Sequence, residues 1–218
     1  YGGGYLVNIG PQNSIMDERV QDVIVERNWF KAGAQDAATG LATRSALVIN
    51  SSEVTARNNI CDLTGGGNAR YCVNVRLNGP ATPAPPPDNV RIYNNTAYSG
   101  DAAGTFPQFA GVLIETGATN VTVQNNLAFA PLASASAMIN NTCGAACLTT
   151  ASNNSSDSQV KNTSPLFAAT PPALITDWTP QGGSYAVNGG ATVPVWSDFF
   201  RTSRPQNGVI DLGAVESP

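Results

Sequence analysis

Side chains suited to binding a sugar polymer recur at one position of a repeated segment. The four copies of this segment are DVIVERNWFK (22–31), EVTARNNICD (53–62), NVRIYNNTAY (89–98) and NVTVQNNLAF (120–129). Two residues before the last asparagine of each copy stand Glu26, Arg57, Tyr93 and Gln124, and Arg91 stands two residues before Tyr93. Arginine can hold a carboxylate through two parallel hydrogen bonds, and an aromatic ring can stack on a sugar. The pattern predicts a binding face for an extended, anionic glycan.

A second set of candidate residues lies on another group of segments. These segments are SALVIN (45–50), YCVNVRL (71–77) and GVLIETG (111–117). Arg76 and Glu115 stand near the ends of the last two segments, and Arg44 directly precedes the first. If successive segments lie side by side, these charged groups come within reach of one sugar residue, because neighbouring strands are about 4.8 Å apart.

Both sets also have a purely structural interpretation. Glu26 above Arg57, and Arg76 beneath Glu115, are arrangements typical of ion pairs between neighbouring strands. Such surface pairs contribute less than about 1 kcal/mol each. Lys31 is a further candidate, as a catalytic base, but an exposed lysine without a catalytic role is the better-supported interpretation.

The repeat determines which elements must position these side chains. Val23, Val54, Val90 and Val121 occupy equivalent positions at steps of 31, 36 and 31 residues, and the longer step contains the proline-rich insertion GPATPAPPPD (79–88). Within each copy apolar residues alternate with polar ones, which is typical of a strand with one buried face. Repetition of short strands at this period predicts a solenoid of stacked coils.

We expect an all-β fold, a right-handed parallel β-helix with an irregular C-terminal cap. A second strand precedes each later copy of the repeat, so each coil contains two or three short strands. The final asparagines of the copies then lie at the same corner of successive coils: Asn28, Asn59, Asn95 and Asn126. Stacked asparagine amides hydrogen-bond to one another. We therefore interpret these residues as a structural ladder rather than as a ligand site.

Composition excludes several function classes. The chain has 218 residues, no histidine, 11 lysines and arginines in total, and a formal net charge of −4. Without histidine it contains neither a Ser-His-Asp triad nor a His-ligated zinc site. An acidic chain without a basic cluster is not expected to bind nucleic acid. No apolar run is long enough to span a membrane.

The four cysteines form two local pairs, Cys61 with Cys72 and Cys143 with Cys147. Neither spacing matches a zinc-binding pattern, and an even number of cysteines in a lysine-poor chain favours disulfides over buried free thiols. Two disulfides indicate an oxidising compartment. We expect a secreted or cell-surface protein, with the periplasm as the alternative.

The first residues of the sequence resemble the middle of a coil. GGYLVNIG (3–10) has the pattern of the second strand. An uncovered first coil exposes apolar side chains and a strand edge, which solenoids normally cover. We expect this coil to be covered by a segment missing from the sequence or by another chain.

The C-terminal end resembles a known family. DLGAVE (211–216) is similar to the D-[IL]-G-A-x-E ending of secreted bacterial right-handed parallel β-helix repeat proteins of the pectate-lyase-like superfamily, in which an aspartate followed by Arg-Pro often precedes it. Asp198 and the pair Arg204-Pro205 match that arrangement here. The resemblance implies coils over residues 1–167 and a capping segment over 168–218, packed on the same solenoid.

The resemblance also implies a role for the charged residues near this end. It indicates that Asp198, Arg204, Asp211 and Glu216 hold a folded cap through charge-assisted hydrogen bonds. The alternative is a cation site built on Asp211 and Glu216. Calcium requires six or more oxygen ligands, and the sequence shows no such cluster. We therefore expect neither a metal nor a cofactor, with calcium as the alternative.

Two function classes remain open. The resemblance implies an extracellular carbohydrate-related protein, either a polysaccharide lyase or a glycosidase acting on an acidic glycan. The alternative is a non-catalytic β-helix that serves as an adhesin, an appendage or filament subunit, or a structural surface component. The acids are scattered along the chain, without the paired carboxylates of a glycosidase. The sequence leaves catalysis undecided.

Overall fold

The computed structural model describes residues 4–10, 20–32, 43–66, 69–77, 86–101 and 108–218. It contains short strands, one short α-helix (α1, Asp157–Asn162) and one 3₁₀ helix (Ile175–Trp178). The strands are β1 Gly4–Ile9, β2 Val23–Glu26, β3 Trp29–Lys31, β4 Thr43–Ile49, β5 Val54–Arg57, β6 Ile60–Asp62, β7 Ala69–Val75, β8 Arg91–Tyr93, β9 Thr96–Tyr98, β10 Gln108–Ile114, β11 Val121–Gln124, β12 Leu127–Phe129, β13 Ala135–Asn141 and β14 Leu148–Ser152.

The strands form three parallel sheets that the chain visits in turn. Sheet A has the order β1-β4-β7-β10-β13, sheet B the order β2-β5-β8-β11-β14, and sheet C the order β3-β6-β9-β12. Each of the first four coils contributes one strand to each sheet. The fifth coil contributes β13 to sheet A and β14 to sheet B, and α1 follows β14. The prediction of an all-β parallel β-helix is confirmed. The residues after each asparagine pair form the strands of sheet C.

Residues with left-handed backbone make the corners on both sides of sheet B. The corner after the strand is at Arg27, Asn58, Asn94, Asn125 and Asn153, each with φ between 50° and 58°. Asparagine tolerates this conformation better than most residues. The first asparagine of each pair therefore turns the chain, which leaves the second free for another role.

The predicted column of valines faces the core. Val54, Val90 and Val121 are fully buried, and Val23 packs against the same core from the first coil. The neighbouring strands are in register through these positions, with Val23 opposite Val54. Burial of a valine side chain contributes about 1.5–3 kcal/mol, so this column is a main source of cohesion between the coils.

The asparagine ladder is also present, and it is one coil longer than the sequence predicted. Side-chain amide nitrogens donate to the next coil's side-chain oxygen at 3.0 Å from Asn28 to Asn59, 2.9 Å from Asn59 to Asn95 and 3.0 Å from Asn95 to Asn126. Asn126 donates in the same way to Asn154 at 3.0 Å. Each inner amide also donates to a backbone carbonyl, as Asn95 does to Ala56. The side-chain amide nitrogens of the ladder are thus paired.

Helix α1 packs on the core at the fifth coil. The Ser156 hydroxyl oxygen accepts from the Gln159 backbone N–H, and the Gln159 side-chain oxygen accepts from the Ser156 backbone N–H. This reciprocal arrangement stabilises a short helix start. Val160, on the buried side of α1, is fully enclosed in the core.

Both predicted disulfides are present. Cys61–Cys72 is buried and joins β6 at the end of the second coil to β7 at the start of the third. Cys143–Cys147 closes the short loop between β13 and β14. The described residues contain no free cysteine. Each bridge therefore fixes a connection between strands of neighbouring sheets.

The segment after α1 packs along the side of the solenoid. Its part from residue 189 to residue 198, here called the strap, contacts four of the five corners of sheet B, and it meets them in the reverse of their sequence order. The contacts are Gly189 at Asn153, Ala191 at Asn125, Ser197 at Asn58 and Asp198 at Arg27. Other parts of the segment cover sheet C, where Phe167 and Trp178 pack on Tyr98. None of the helices in the described residues has the length and apolarity needed to cross a membrane.

Candidate functional site

The first predicted set of site residues forms a line up sheet B. Glu26 pairs with Arg57, Arg57 with Tyr93 and Tyr93 with Gln124 in the parallel register. Arg91 lies in the neighbouring column, opposite Thr55 and Thr122. The predicted alignment is therefore present.

The charges on this line are already paired within the protein. Arg57 donates to Glu26 at 2.6 Å, and Arg27 also contacts Glu26. Arg91 lies 3.6 Å from Glu53. Partial burial raises the pKa of the Glu26 carboxyl, but hydrogen bonds and charges of Arg57 and Arg27 outweigh it, so this pKa lies below its usual range. The interpretation as ion pairs between coils fits the geometry.

The strap also covers Tyr93, the aromatic residue of this line. The structure therefore corrects the prediction that Tyr93 offers an exposed aromatic surface to a sugar. Tyr93 is only 6% exposed and packs with Val193, Val195 and Ile210. Arg57 donates to the Pro194 carbonyl at 3.2 Å. A sugar cannot stack on a ring that the chain itself covers, so this face does not offer the predicted combination of an aromatic ring and two free cations.

The outer face of sheet A has a different character. Tyr71 of β7 lies between Ser45 of β4 and Ala110 of β10, and it packs with Ala110 and Leu113 in a cluster separate from the core. Its hydroxyl donates to the Gln108 side-chain oxygen at 3.1 Å. An aromatic residue and an amide thus bridge the third and fourth coils on the outside of the sheet.

A second bridge lies further along the same two strands. The Asn74 amide nitrogen donates to Glu115 Oε1 at 2.9 Å. Asn74 is only 4% exposed, and no described residue donates to its side-chain oxygen. The backbone N–H of Glu115 donates to the carbonyl of Val75, which places Glu115 beside Arg76. The structure therefore brings the predicted residues Arg76 and Glu115 to neighbouring coils, and adds Asn74 between them and Tyr71.

Electrostatics keep the Tyr71 hydroxyl protonated at neutral pH. Burial raises the pKa of Tyr71 above its ordinary value of 10.0, and the negative charge of Glu115 raises it further, while Arg44 opposes this shift. The hydroxyl remains a hydrogen-bond donor. Arg44, Tyr71 and Glu115 belong to the second, third and fourth coils, so a cation, a phenol and a carboxylate follow one another along this face.

Sequence analysis missed Tyr71, Asn74 and Gln108. The signal was present for Asn74, which stands between two valines in YCVNVRL and must face outward if they face inward. Tyr71 gave no such signal, because strict alternation places it on the same side as Val73 and Val75. Gln108 carried no such signal, because its pairing with Tyr71 depends on the register between β7 and β10.

The charged residues near the C-terminus are committed to the fold. Arg204 contacts Glu216 at 3.0 Å, and Glu216 accepts hydrogen bonds from the backbone N–H groups of Gln206 and Asp211. Asp198 and Asp211 also accept backbone N–H groups through both carboxylate oxygens. These oxygens are not available to a cation, and the described residues hold no acidic or cysteine cluster suited to a metal.

Lys31, the predicted alternative base, lies at the outer edge of the first coil. Its side chain is 62% exposed, 4.0 Å from Asp62 and 5.6 Å above the ring of Trp29. The wide exposure and the loose ion pair match a solvated lysine better than a catalytic base.

Comparison with protein-family models, curated proteins and solved structures finds no match for this chain. Inference about function therefore rests on the outer faces of sheets A and B. On sheet B the charged side chains pair with one another beneath the strap. On sheet A hydrogen-bonding side chains join neighbouring coils, and the Asn74 side-chain oxygen has no partner among the described residues.

Proposed function

We propose that this protein is an extracellular β-helix that binds a polysaccharide along the outer face of sheet A. The observation that carries the proposal is the pair of bridges Tyr71–Gln108 and Asn74–Glu115, side by side on neighbouring coils. Both bridges join the third coil to the fourth. Tyr71 and Asn74 are three residues apart on β7, about 10 Å at about 3.3 Å per residue, so a glycan would meet the two bridges with different sugar residues.

The chemistry of the face suits sugars. Sugar hydroxyls need both donors and acceptors, while the C–H faces of the ring need apolar contact. Gln108 and Glu115, at the outer ends of the two bridges, are exposed and half-buried and offer an amide and a carboxylate. Tyr71 and Asn74, which are 9% and 4% exposed, hold them in place through the two hydrogen bonds. Ala135, opposite Gln108 on β13, is exposed and provides apolar contact.

The extracellular part of the proposal has separate support. Two disulfides are typical of oxidising compartments. The resemblance of DLGAVE to the ending of pectate-lyase-like β-helix proteins points in the same direction. The expected preference for an anionic glycan loses its original support, because Arg57 and Arg91 already pair with Glu26 and Glu53.

A lyase is the second candidate function, because Arg44, Tyr71 and Glu115 follow one another on adjacent coils. β-Elimination from a uronic acid needs a cation for the substrate carboxylate, a base for the α-proton and an acid for the leaving oxygen. Arginine, glutamate and protonated tyrosine match these needs in kind. A glycosidase needs two carboxylates. Among the described residues in the sheet A strands, and those directly after each strand, Glu115 is the one carboxylate, so this function is less well supported.

The test is glycan binding by variants of each face. A panel of neutral and acidic polysaccharides is screened by calorimetry, with absorbance of unsaturated sugar as the readout for lyase activity. Asn74→Ala and Tyr71→Phe are expected to weaken binding by at least about tenfold, the equivalent of about 1.4 kcal/mol.

The control is Gln124→Ala, an amide on sheet B, which is expected to bind as the parent protein does. Melting temperatures establish that each variant is folded. Equal losses in all three variants, or the absence of binding to every polysaccharide, would contradict the proposal and favour the non-catalytic structural alternative.

A further inference from the structure

The two disulfides differ in their access to solvent. Cys61 and Cys72 are 0% and 1% exposed and lie inside the core between the second and third coils. Cys147 is also buried, but Cys143 is half-buried at the edge of the core, and residues 144–146 between them are exposed. A thiol can break a disulfide only where it reaches one of the two sulfur atoms. Of the four cysteines in the chain, Cys143 is therefore the one that an external thiol can approach.

The half-buried bridge lies in a coil whose sheet B strand is paired on one side. In the described part of the chain β14 is the outermost strand of sheet B and pairs only with β11. The Val121 N–H donates to the Cys147 carbonyl. The register then shifts between Val121 and Thr122, which leaves Thr149 as an extra residue at the start of β14. Such a bulge interrupts the hydrogen bonding of a strand pair. The bridge at Cys147, directly before Leu148, thus fixes the part of β14 where backbone pairing is interrupted.

Hydrogen bonds that involve no sulfur also hold this loop in shape. The Asn141 side-chain oxygen accepts the Cys143 N–H at 3.1 Å, and the Asn141 side-chain nitrogen donates to the Gly144 carbonyl at 2.8 Å. The Cys147 N–H donates to the same carbonyl at 3.3 Å. Because none of these bonds needs the disulfide, they keep the two thiols close together when the bridge is open. Asn141 is therefore a positioning residue that favours closure of the bridge.

We propose that the Cys143–Cys147 bridge is a reversible latch on the fifth coil that opens to external thiols, whereas Cys61–Cys72 stays closed. An external thiolate attacks Cys143 Sγ, forms a mixed disulfide with it and displaces Cys147 as a thiolate, which takes up a proton. A second external thiolate attacks the external sulfur of the mixed disulfide and releases Cys143. Two external thiols are thereby oxidised to one disulfide, and the two protein sulfurs are reduced to thiols. This inference does not depend on glycan binding.

Opening the latch changes the fifth coil locally. The closed bridge joins the loop after β13 to the start of β14 through a covalent bond. In the open state only the hydrogen bonds of Asn141 and Gly144 join them, and such bonds open and re-form readily. Cys147 stays packed in the core as a thiol, because a free cysteine behaves as a small apolar side chain. The start of β14 therefore opens more often, while the inner coils keep their packing.

The test exposes the folded protein to reduced glutathione for increasing times. Each sample is quenched in denaturant with an alkylating agent, and peptide mass spectrometry counts the thiols. The Cys143–Cys147 bridge is expected to open at least about a hundredfold faster than Cys61–Cys72, which reacts only after local unfolding. Hydrogen exchange of the β14 amides is expected to become at least about tenfold faster after reduction and to recover once the thiol is removed. Equal opening rates of the two bridges, or unchanged exchange in β14, would overturn the inference.

Two variants separate the bridge from the loop that positions it. The double variant Cys143→Ser with Cys147→Ser is expected to show the fast β14 exchange of the reduced protein, with or without thiol. Asn141→Ala is expected to open as fast as the parent but to close at least about tenfold more slowly, because positioned groups react at a high effective concentration.

Asn140→Ala, at the neighbouring residue, is the matched control and is expected to close at the parent rate. Melting temperatures report folding of each variant. Slow β14 exchange in the double serine variant would contradict the latch, and closure of Asn141→Ala at the parent rate would contradict the positioning role of Asn141.

Discussion

The side-chain amide of Asn58 donates to the backbone carbonyl of Ser197 at 2.7 Å, across 139 residues of sequence. Its neighbour Asn59 faces the other way and joins the buried ladder. Two adjacent asparagines therefore hold two different parts of the molecule. The same division recurs at the next coil, where Asn94 donates to Asp211 and Asn95 joins the ladder.

This division explains why the pair is repeated. The first asparagine adopts the left-handed corner and presents its amide to the strap or to neighbouring parts of the C-terminal segment, as Asn125 does to Ala191 and Asn153 does to Gly189. The second asparagine links the coils. In the first coil arginine replaces the outward asparagine, and Arg27 reaches Ser197 and Asp198 with its longer side chain.

We expect Asn95→Ala to destabilise the protein strongly. Asn95 donates to Ala56 and Asn126 and accepts from Asn59, all inside the protein. Leaving these buried groups unpaired costs about 1–3 kcal/mol for each group, so the free energy of unfolding is expected to fall by at least about 3 kcal/mol. Urea denaturation measures this change. Asn28→Ala, at the partly exposed first rung, is the matched comparison, and an equal loss there would contradict a cooperative ladder.

We expect Glu26 to contribute to acid stability. Its pKa is held below the ordinary value of 4.5 in the folded protein, so the unfolded chain takes up its proton first as the pH falls. The stabilisation from this carboxylate is therefore complete above that value and is lost as the pH falls through the lower, folded pKa. Glu26→Gln should lower the melting temperature at pH 7 and converge with the parent at low pH. A constant difference across the range would argue against this contribution.

We expect the buried disulfide to stabilise the protein. Cys61 and Cys72 are 11 residues apart in sequence, and closing a loop of this size contributes about 2–4 kcal/mol. The double variant Cys61→Ser with Cys72→Ser should lose this amount in urea denaturation. Mass spectrometry of the unreduced parent protein should show both bridges. Free thiols in the native protein would remove the argument for an oxidising compartment.

We expect the double variant Arg57→Ala with Arg91→Ala to leave glycan affinity unchanged. Both arginines pair with glutamates, and Arg57 also holds the Pro194 carbonyl of the strap. Partly exposed ion pairs contribute up to about 1 kcal/mol each, so a modest fall in the free energy of unfolding is expected. Calorimetry and urea denaturation are measured side by side with Asn74→Ala. Lost binding with unchanged stability would restore sheet B as the binding face.

The sequence by itself determined the features that repeat. The column of Val23, Val54, Val90 and Val121, the asparagine ladder and both disulfides could be predicted because they follow from alternation, a fixed period and local spacing. Alternation predicts which side chains face inward, and the period predicts which residues of successive coils stack on one another. Both can be read from the sequence because each coil of a solenoid packs only against the coils next to it.

Only the tertiary structure decided how the outward side chains are covered. Tyr93 lies beneath Val193, Val195 and Ile210, whereas Tyr71, only 9% exposed, donates to Gln108, which is itself exposed on sheet A. The covering segment has no repeat, and it contacts corners more than a hundred residues away, as Ser197 does at Asn58. Periodicity carries no information about such contacts, because burial by a remote, irregular segment depends on the free energy of packing it against one face rather than another.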